Sequence, residues 1–116
     1  MLKTLPELLA MASANVRTIT AKQAQQEIGQ SNGMIIDVRE PAEFAKQAAK
    51  GSVNMPRGVL EGQIINQIKD ENFAIYLHCA AGFRATLAAE SVQKLGYKNV
   101  TAIGCKFADV ETAFGE

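Results

Sequence analysis

Short apolar runs separated by stretches of helical period constrain this chain more than any other feature. Val16-Arg17-Thr18-Ile19, Met34-Ile35-Ile36-Asp37-Val38, Phe73-Ala74-Ile75-Tyr76-Leu77 and Asn99-Val100-Thr101-Ala102-Ile103 read as strands. The second and third are almost continuously apolar, as strands buried on both faces are. Helical patterns lie between them. Thr20 opens one, with Gln23 completing a capping-box signature. Ala21, Ala24 and Ile28 form its inner stripe as far as Gly29, with Lys22 and Glu27 outward, and Asn32-Gly33 is turn chemistry. Pro41 suits the first turn of the next helix, which Phe44 anchors and Gly51 closes. Val59–Ile68, Arg84–Leu95 and Phe107–Phe114 read as further helices. Strands alternating with helices specify an α/β fold, a small doubly wound and mainly parallel sheet flanked by helices. About five strands is the expectation for such a sheet.

At 116 residues the chain suits a single domain, assigned to residues 16–116, preceded by a helical extension over residues 1–15. Leu5, Leu8, Leu9, Ala12 and Val16 recur at helical spacing in that extension. Pro6 and Glu7 interrupt the region where an export signal would be apolar, so it reads as a packed amphipathic helix. The cytoplasm, with reduced thiols, follows as the expected compartment. Twelve Lys plus Arg balance twelve Asp plus Glu, leaving no basic surplus for nucleic-acid phosphates. No run approaches the roughly 18 apolar residues of a membrane span. A hydrophobic fraction of 47% argues against disorder.

In sheets of this kind ligands bind beyond the carboxyl ends of the strands, which singles out the segments after Val38, Leu77 and Ile103. After Leu77 comes His78-Cys79-Ala80-Ala81-Gly82-Phe83-Arg84-Ala85-Thr86. A cysteine at a strand end, followed by a small-residue loop and a helix, lets backbone N–H groups curl around the sulfur with the helix's positive end behind them. Arg84 adds positive charge at the far rim. These features favour the thiolate, which is the nucleophilic form. The plain alternative is a small buried apolar residue. His78 reads as a structural neighbour, because adjacent strand residues point to opposite faces. It is the sole histidine, so neither a Cys-His protease nor a zinc site finds the ligands or base it needs.

With these residues in place the chain resembles the single-domain rhodaneses, a family of small sulfurtransferases, from about Val16 to Phe114. Four marks in order carry the resemblance: Ile36-Asp37-Val38-Arg39-Glu40; Gly51-Ser52-Val53-Asn54-Met55-Pro56-Arg57-Gly58 with Leu60-Glu61; Cys79 to Arg84; and Gly96-Tyr97-Lys98-Asn99-Val100 leading to Gly104. It implies a sulfur relay in which Cys79 takes the outer sulfur of thiosulfate or a related small anionic donor as a persulfide. A thiophilic acceptor (cyanide, a thiol or a protein thiolate) then removes it, with no metal or organic cofactor. Ala80, Ala81, Gly82, Phe83 and Arg84 would form the substrate cradle. Asp37 and Arg39 would brace the site or pair locally with Glu40 or Glu43, and Arg57 would lend positive potential or remain a solvated loop residue. The chain departs from the family pattern at Gln47-Ala48-Ala49-Lys50, where a histidine is common, and at Gly104-Cys105, where paired glycines and a following tryptophan are usual.

Cys105 follows a strand whose end lies on the same sheet edge as Cys79. It is either a resolving thiol for Cys79 or an incidental buried one. Two rival functions remain open. A phosphatase or arsenate reductase also uses a cysteine in an anion loop, but with five residues between cysteine and arginine; Cys79 and Arg84 have four. The other rival is a non-catalytic binding or sulfur-carrier module on the same fold.

Overall fold

The computed structural model describes residues 1–115. Two threonines set the first helices. Thr4 accepts from the Glu7 amide while the Glu7 carboxylate accepts from the Thr4 amide, opening α1 (Leu5–Ser13). Thr20 and Gln23 repeat the reciprocal pair at the start of α2 (Ala21–Ser31), after the short strand β1 (Arg17–Ile19). Asn32, at φ 57°, ends α2 in the left-handed conformation that asparagine tolerates. The chain continues as β2 (Met34–Asp37), α3 (Pro41–Lys46) and β3 (Val53–Asn54). A 3₁₀ turn at Arg57–Val59 leads into α4 (Leu60–Gln67), followed by β4 (Ile75–His78), α5 (Phe83–Lys94), β5 (Val100–Ile103) and α6 (Phe107–Phe114).

The sheet runs β1-β5-β4-β2-β3 with every pairing parallel. Consecutive strand residues point to opposite faces and therefore enter different cores. On one side Ile36, Ile75, Leu77 and Ala102 pack with Leu60 and Ile64 of α4 and Ala85, Ala88, Ala89 and Val92 of α5. On the other, Ile35, Tyr76 and Ile103 meet Ala21 and Ala24 of α2 and Val110 of α6. The doubly wound α/β expectation is met, with five strands.

Three details differ from the sequence reading. β3 lacked a strand pattern because it is two residues long; it exists through its pairing of Val53 with Ile36 and Asn54 with Asp37. Next, α3 stops at Lys46 and not at Gly51, because the Gln47 backbone turns extended and its carbonyl accepts from Arg39 Nη2 at 2.7 Å. Finally, α1 lies against α5 but buries less of its stripe than its spacing promised. Ala12 and Val16 are buried, whereas Leu5 and Leu8 stay 54% and 41% exposed.

Leu77 has no exposed surface in the central strand, so Leu77→Ala leaves a cavity and should cost about 2–5 kcal/mol in urea denaturation. Thr20→Ala removes one helix cap and should cost about 1 kcal/mol in the same assay.

Candidate functional site

The site grows from the register of the two central strands. β2 and β4 align Asp37 with His78, so both side chains leave the same face at the carboxyl edge, and Cys79, one residue on, leaves the other. Cys79 accordingly packs with Leu77 and Ala85, and it is 1% exposed. After it the chain must turn sharply into α5, and Gly82 makes that turn at φ 93°. A side chain there would be strained by the backbone, although its Cβ would meet Gly104 only at ordinary contact distance, 3.4 Å.

The turn brings backbone donors onto the sulfur. Gly82 N–H donates to Cys79 Sγ at 3.0 Å and Ala85 N–H at 3.3 Å. The sulfur thus sits against the first turn of a twelve-residue helix, where free N–H groups and the helix dipole both favour negative charge. Of the expected cradle Ala80–Arg84, Gly82 touches the sulfur directly, and Ala85, outside that span, is the second donor. Thr86 Oγ1 and the Thr86 amide both donate to the Gly82 carbonyl, at 2.8 and 3.0 Å, and fix the glycine in place. Ala81 and Phe83 are exposed, Ala80 half-buried. The Ala80 carbonyl accepts from the Phe107 amide at 2.9 Å, which ties the loop to the start of α6.

Arg84 is on the rim as expected, but its charge is already engaged. Its Nη1 and Nη2 donate to the two oxygens of Glu43 at 2.8 and 3.2 Å. The guanidinium holds the Glu43 carboxyl down to about 2, with help from the Glu40 amide. Arg57 is likewise paired, with Glu61 at 2.9 Å one helical turn on.

Asp37 and Arg39 pair with each other and not with Glu40 or Glu43. Arg39 donates from its amide at 2.9 Å, from Nε at 3.0 Å and from Nη2 at 2.7 Å to the Asp37 carboxylate, and the pair is all but fully buried. Asn54 Nδ2 bonds the carbonyls of Asp37 and Arg39, each at 3.0 Å. Phe107 closes the cluster, with its ring 3.9 Å from Arg39 Cζ and stacked beside His78. Sequence reasoning missed Phe107; the rule that ligand sites follow strand ends pointed to its neighbourhood.

His78 is fully buried, its Nε2 3.8 Å from Asp37 Oδ2, and neither ring nitrogen has a hydrogen-bond partner. It faces away from Cys79, in accord with its reading as a structural neighbour. Cys105 Sγ accepts from the Ala21 amide at 3.2 Å and packs with the core opposite to that of Cys79. Both cysteines are free thiols, and the sheet separates the clusters that hold them, which disfavours the resolving role.

Burial holds the His78 imidazole below its ordinary value; Asp37 opposes that effect and Arg39 reinforces it. The unfolded chain therefore takes up the proton first. Stability should fall as pH drops below about 6.5, and level off below the folded-state value. Urea midpoints at pH 7.5 and pH 5 should show this loss, and His78→Gln should flatten it. Gly82→Ala should cost about 1–2 kcal/mol for its left-handed backbone, read by thermal or urea unfolding.

A family model described as "Rhodanese-like domain" matches residues 20–105. A Schizosaccharomyces pombe protein named "Putative thiosulfate sulfurtransferase, mitochondrial" is 32% identical, over 66% of this chain and 62% of its own length. A Bacillus subtilis protein named "Putative sulfur carrier protein YrkF" is also 32% identical, over 76% of this chain and 47% of its own. The chain thus spans less than two thirds of both curated relatives. A solved Rhodopseudomonas palustris structure, titled as a protein of unknown function and possible tyrosine phosphatase, superposes with a TM-score of 0.83 at 28% identity, covering 97% of this chain and 92% of that one.

Proposed function

The chain belongs to the rhodanese-like domain family, and from that premise we propose that it is a sulfurtransferase working through a persulfide on Cys79. Its curated relatives are named for sulfur transfer and sulfur carriage. The observation that carries the reading is the pair of N–H groups, from Gly82 and Ala85, directed at Cys79 Sγ within 3.3 Å at a helix N-terminus. A thiolate held there is stabilised by dipoles that need no rearrangement during the reaction.

In the first half-reaction the Cys79 thiolate attacks the outer sulfur of thiosulfate or a related donor. The donor's S–S bond breaks, sulfite leaves with the bonding electron pair, and the sulfur stays on Cys79 as a persulfide anion. An acceptor then attacks that outer sulfur (cyanide, giving thiocyanate, or a thiol), and the Cys79 thiolate is restored. Both halves are displacements at sulfur, so the proposal needs no cofactor. Each leaves one negative charge beside the Gly82 and Ala85 amides, which serve both states of the cysteine. The buried Asp37–Arg39 pair and Phe107 act at a distance from the sulfur, by holding the strand end and the Ala80 carbonyl that frame the loop.

Phosphatase chemistry draws less support. It needs an arginine free to clasp a phosphate dianion, and the Arg84 guanidinium is clasped by Glu43.

Intact mass after brief exposure to thiosulfate or another sulfane donor should show an added mass of about 32 Da, the persulfide of one cysteine. Cyanide should remove it, and Cys79→Ser should never acquire it while Cys105→Ser does. A persulfide that forms but resists cyanide and thiols would favour a sulfur-carrier module. A mass that never changes with any donor would overturn the relay.

A further inference from the structure

His78 is the chain's sole histidine, and it occupies a place that packing alone does not call for. Its side chain has no exposed surface, and neither Nδ1 nor Nε2 has a hydrogen-bond partner. An apolar side chain would fill the same space without leaving two polar atoms unmet, a penalty that folded proteins ordinarily avoid. The ring is nonetheless close to charge. Nε2 lies 3.8 Å from Asp37 Oδ2, about an ångström beyond a hydrogen bond. That oxygen is the one Arg39 Nη2 holds at 2.7 Å, so a protonated imidazole and the guanidinium compete for one acceptor. His78 also stacks with Phe107, ring centroids 6.3 Å apart, and Phe107 in turn carries Arg39 Cζ at 3.9 Å.

Two groups act on the ring by charge: Asp37 draws a proton to it and Arg39 opposes one. The other titratable groups on this side of the sheet are committed elsewhere or exposed. Glu27 of α2 is taken by Arg17 and by the Tyr76 hydroxyl, and Glu111 of α6 by Gln47. Lys22 of α2, Lys106 and Asp109 at the start of α6, and Lys46 and Lys50 after β2 are exposed. Cys79 leaves the strand on the opposite face. Burial keeps the imidazole below its ordinary value, so it is neutral at pH 7 and takes up its proton only in acid.

The consequence of that proton is set by what Phe107 holds. Its amide donates to the Ala80 carbonyl at 2.9 Å, which ties α6 to the cysteine loop. Arg39 steadies the same region through the Gln47 carbonyl, and the Gln47 side chain bonds Glu111 of α6 at 2.8 Å. We propose that His78 is a positioning residue whose protonation draws Asp37 from Arg39, loosens Phe107 from the Ala80 carbonyl and slows sulfur transfer at Cys79. The inference rests on the Cys79 relay proposed above. His78 makes and breaks no bond to the donor; it takes a proton from solvent and acts through Asp37, Arg39 and Phe107. The neutral ring leaves the loop framed for reaction, and the imidazolium relaxes that frame.

One histidine gives one imidazole signal, so the Cε1–H resonance of the isotope-labelled chain reads His78 directly. Between about pH 8 and pH 5 it should titrate in the folded protein, with a midpoint below about 6.5. At that midpoint the Phe107 amide should lose about tenfold more hydrogen-exchange protection than the Ile75 amide, which is bonded to Asn99 in the central sheet and reports global opening. On a Cys105→Ser background, alkylation of Cys79 by iodoacetamide and its persulfidation by thiosulfate should show an extra fall of about fivefold to tenfold at the same midpoint, the cost of a small displacement at the reacting atom. This fall comes on top of the slope from the cysteine's own titration. His78→Gln should keep that slope and lack the extra fall. A histidine that only fills space would change the rates at every pH or at none, with no midpoint shared with the imidazole.

An imidazole signal that stays unmoved until the chain unfolds overturns the inference. A Phe107 amide that merely follows Ile75 does so too, as do pH profiles that His78→Gln leaves unchanged. Each of these outcomes leaves the relay standing. Absence of persulfide with every donor overturns the relay instead, and exchange and alkylation still decide the role of His78. The resonance and exchange readings use the unsubstituted chain, so a His78→Gln protein that fails to fold leaves them decisive.

Discussion

A carboxylate with no exposed surface organises the carboxyl edge of the sheet. Asp37 accepts three donors from Arg39, and Arg39 in turn reaches the Gln47 carbonyl and lies against the Phe107 ring. Phe107 passes the constraint on, because its amide holds the Ala80 carbonyl in the cysteine loop. One ion pair thus fixes the end of β2, the end of α3, the start of α6 and the frame of the loop. A pair this deeply buried repays its desolvation only with further contacts, and here the Gln47 carbonyl and the Phe107 ring meet the Arg39 guanidinium, while Asn54 bonds the backbone carbonyls of both residues. His78 has no such partners, and it is the point at which the cluster responds to protons.

The charges near the loop follow a similar logic. Formal neutrality is visible in the composition, yet the structure goes further and pairs each of the chain's four arginines with an acid. What remains at the sulfur is the field of backbone dipoles, from the Gly82 and Ala85 amides and the helix behind them. Such dipoles favour a thiolate or persulfide wherever the donor comes from. They do not by themselves attract a distant dianion, which is the task that free side-chain cations perform. Stabilising the sulfur and recruiting its substrate are therefore separable properties of this loop.

The strands and helices were legible where the pattern was long. The run Met34–Val38 and the stripe of Ala85, Ala88 and Val92 announced elements the structure contains, and Thr20 with Gln23 marked a helix start to the residue. Short or weakly bound pieces were not legible. β3 is two residues held by its neighbour, and α3 ends early because a distant guanidinium captures the Gln47 carbonyl. α1 was expected to bury Leu5 and Leu8, whereas its first turns extend beyond the surface of α5. Periodicity reports which residues share a face and carries no information on how much of that face is covered.

The sequence by itself determined the α/β alternation, the position of Cys79 at a strand end, the small-residue loop after it and the glycine that makes the turn, because each is a local pattern of side-chain size and period. It also placed His78 and Cys79 on opposite faces, which follows from the pleat alone. Tertiary structure alone decided the partners. Arg84 went to Glu43, 41 positions away, the Phe107 ring came to lie over Arg39, and Cys105 went to the core away from Cys79. The pairing of Arg84 with Glu43 depends on where parallel strands bring distant segments, and spacing along the chain carries no record of that.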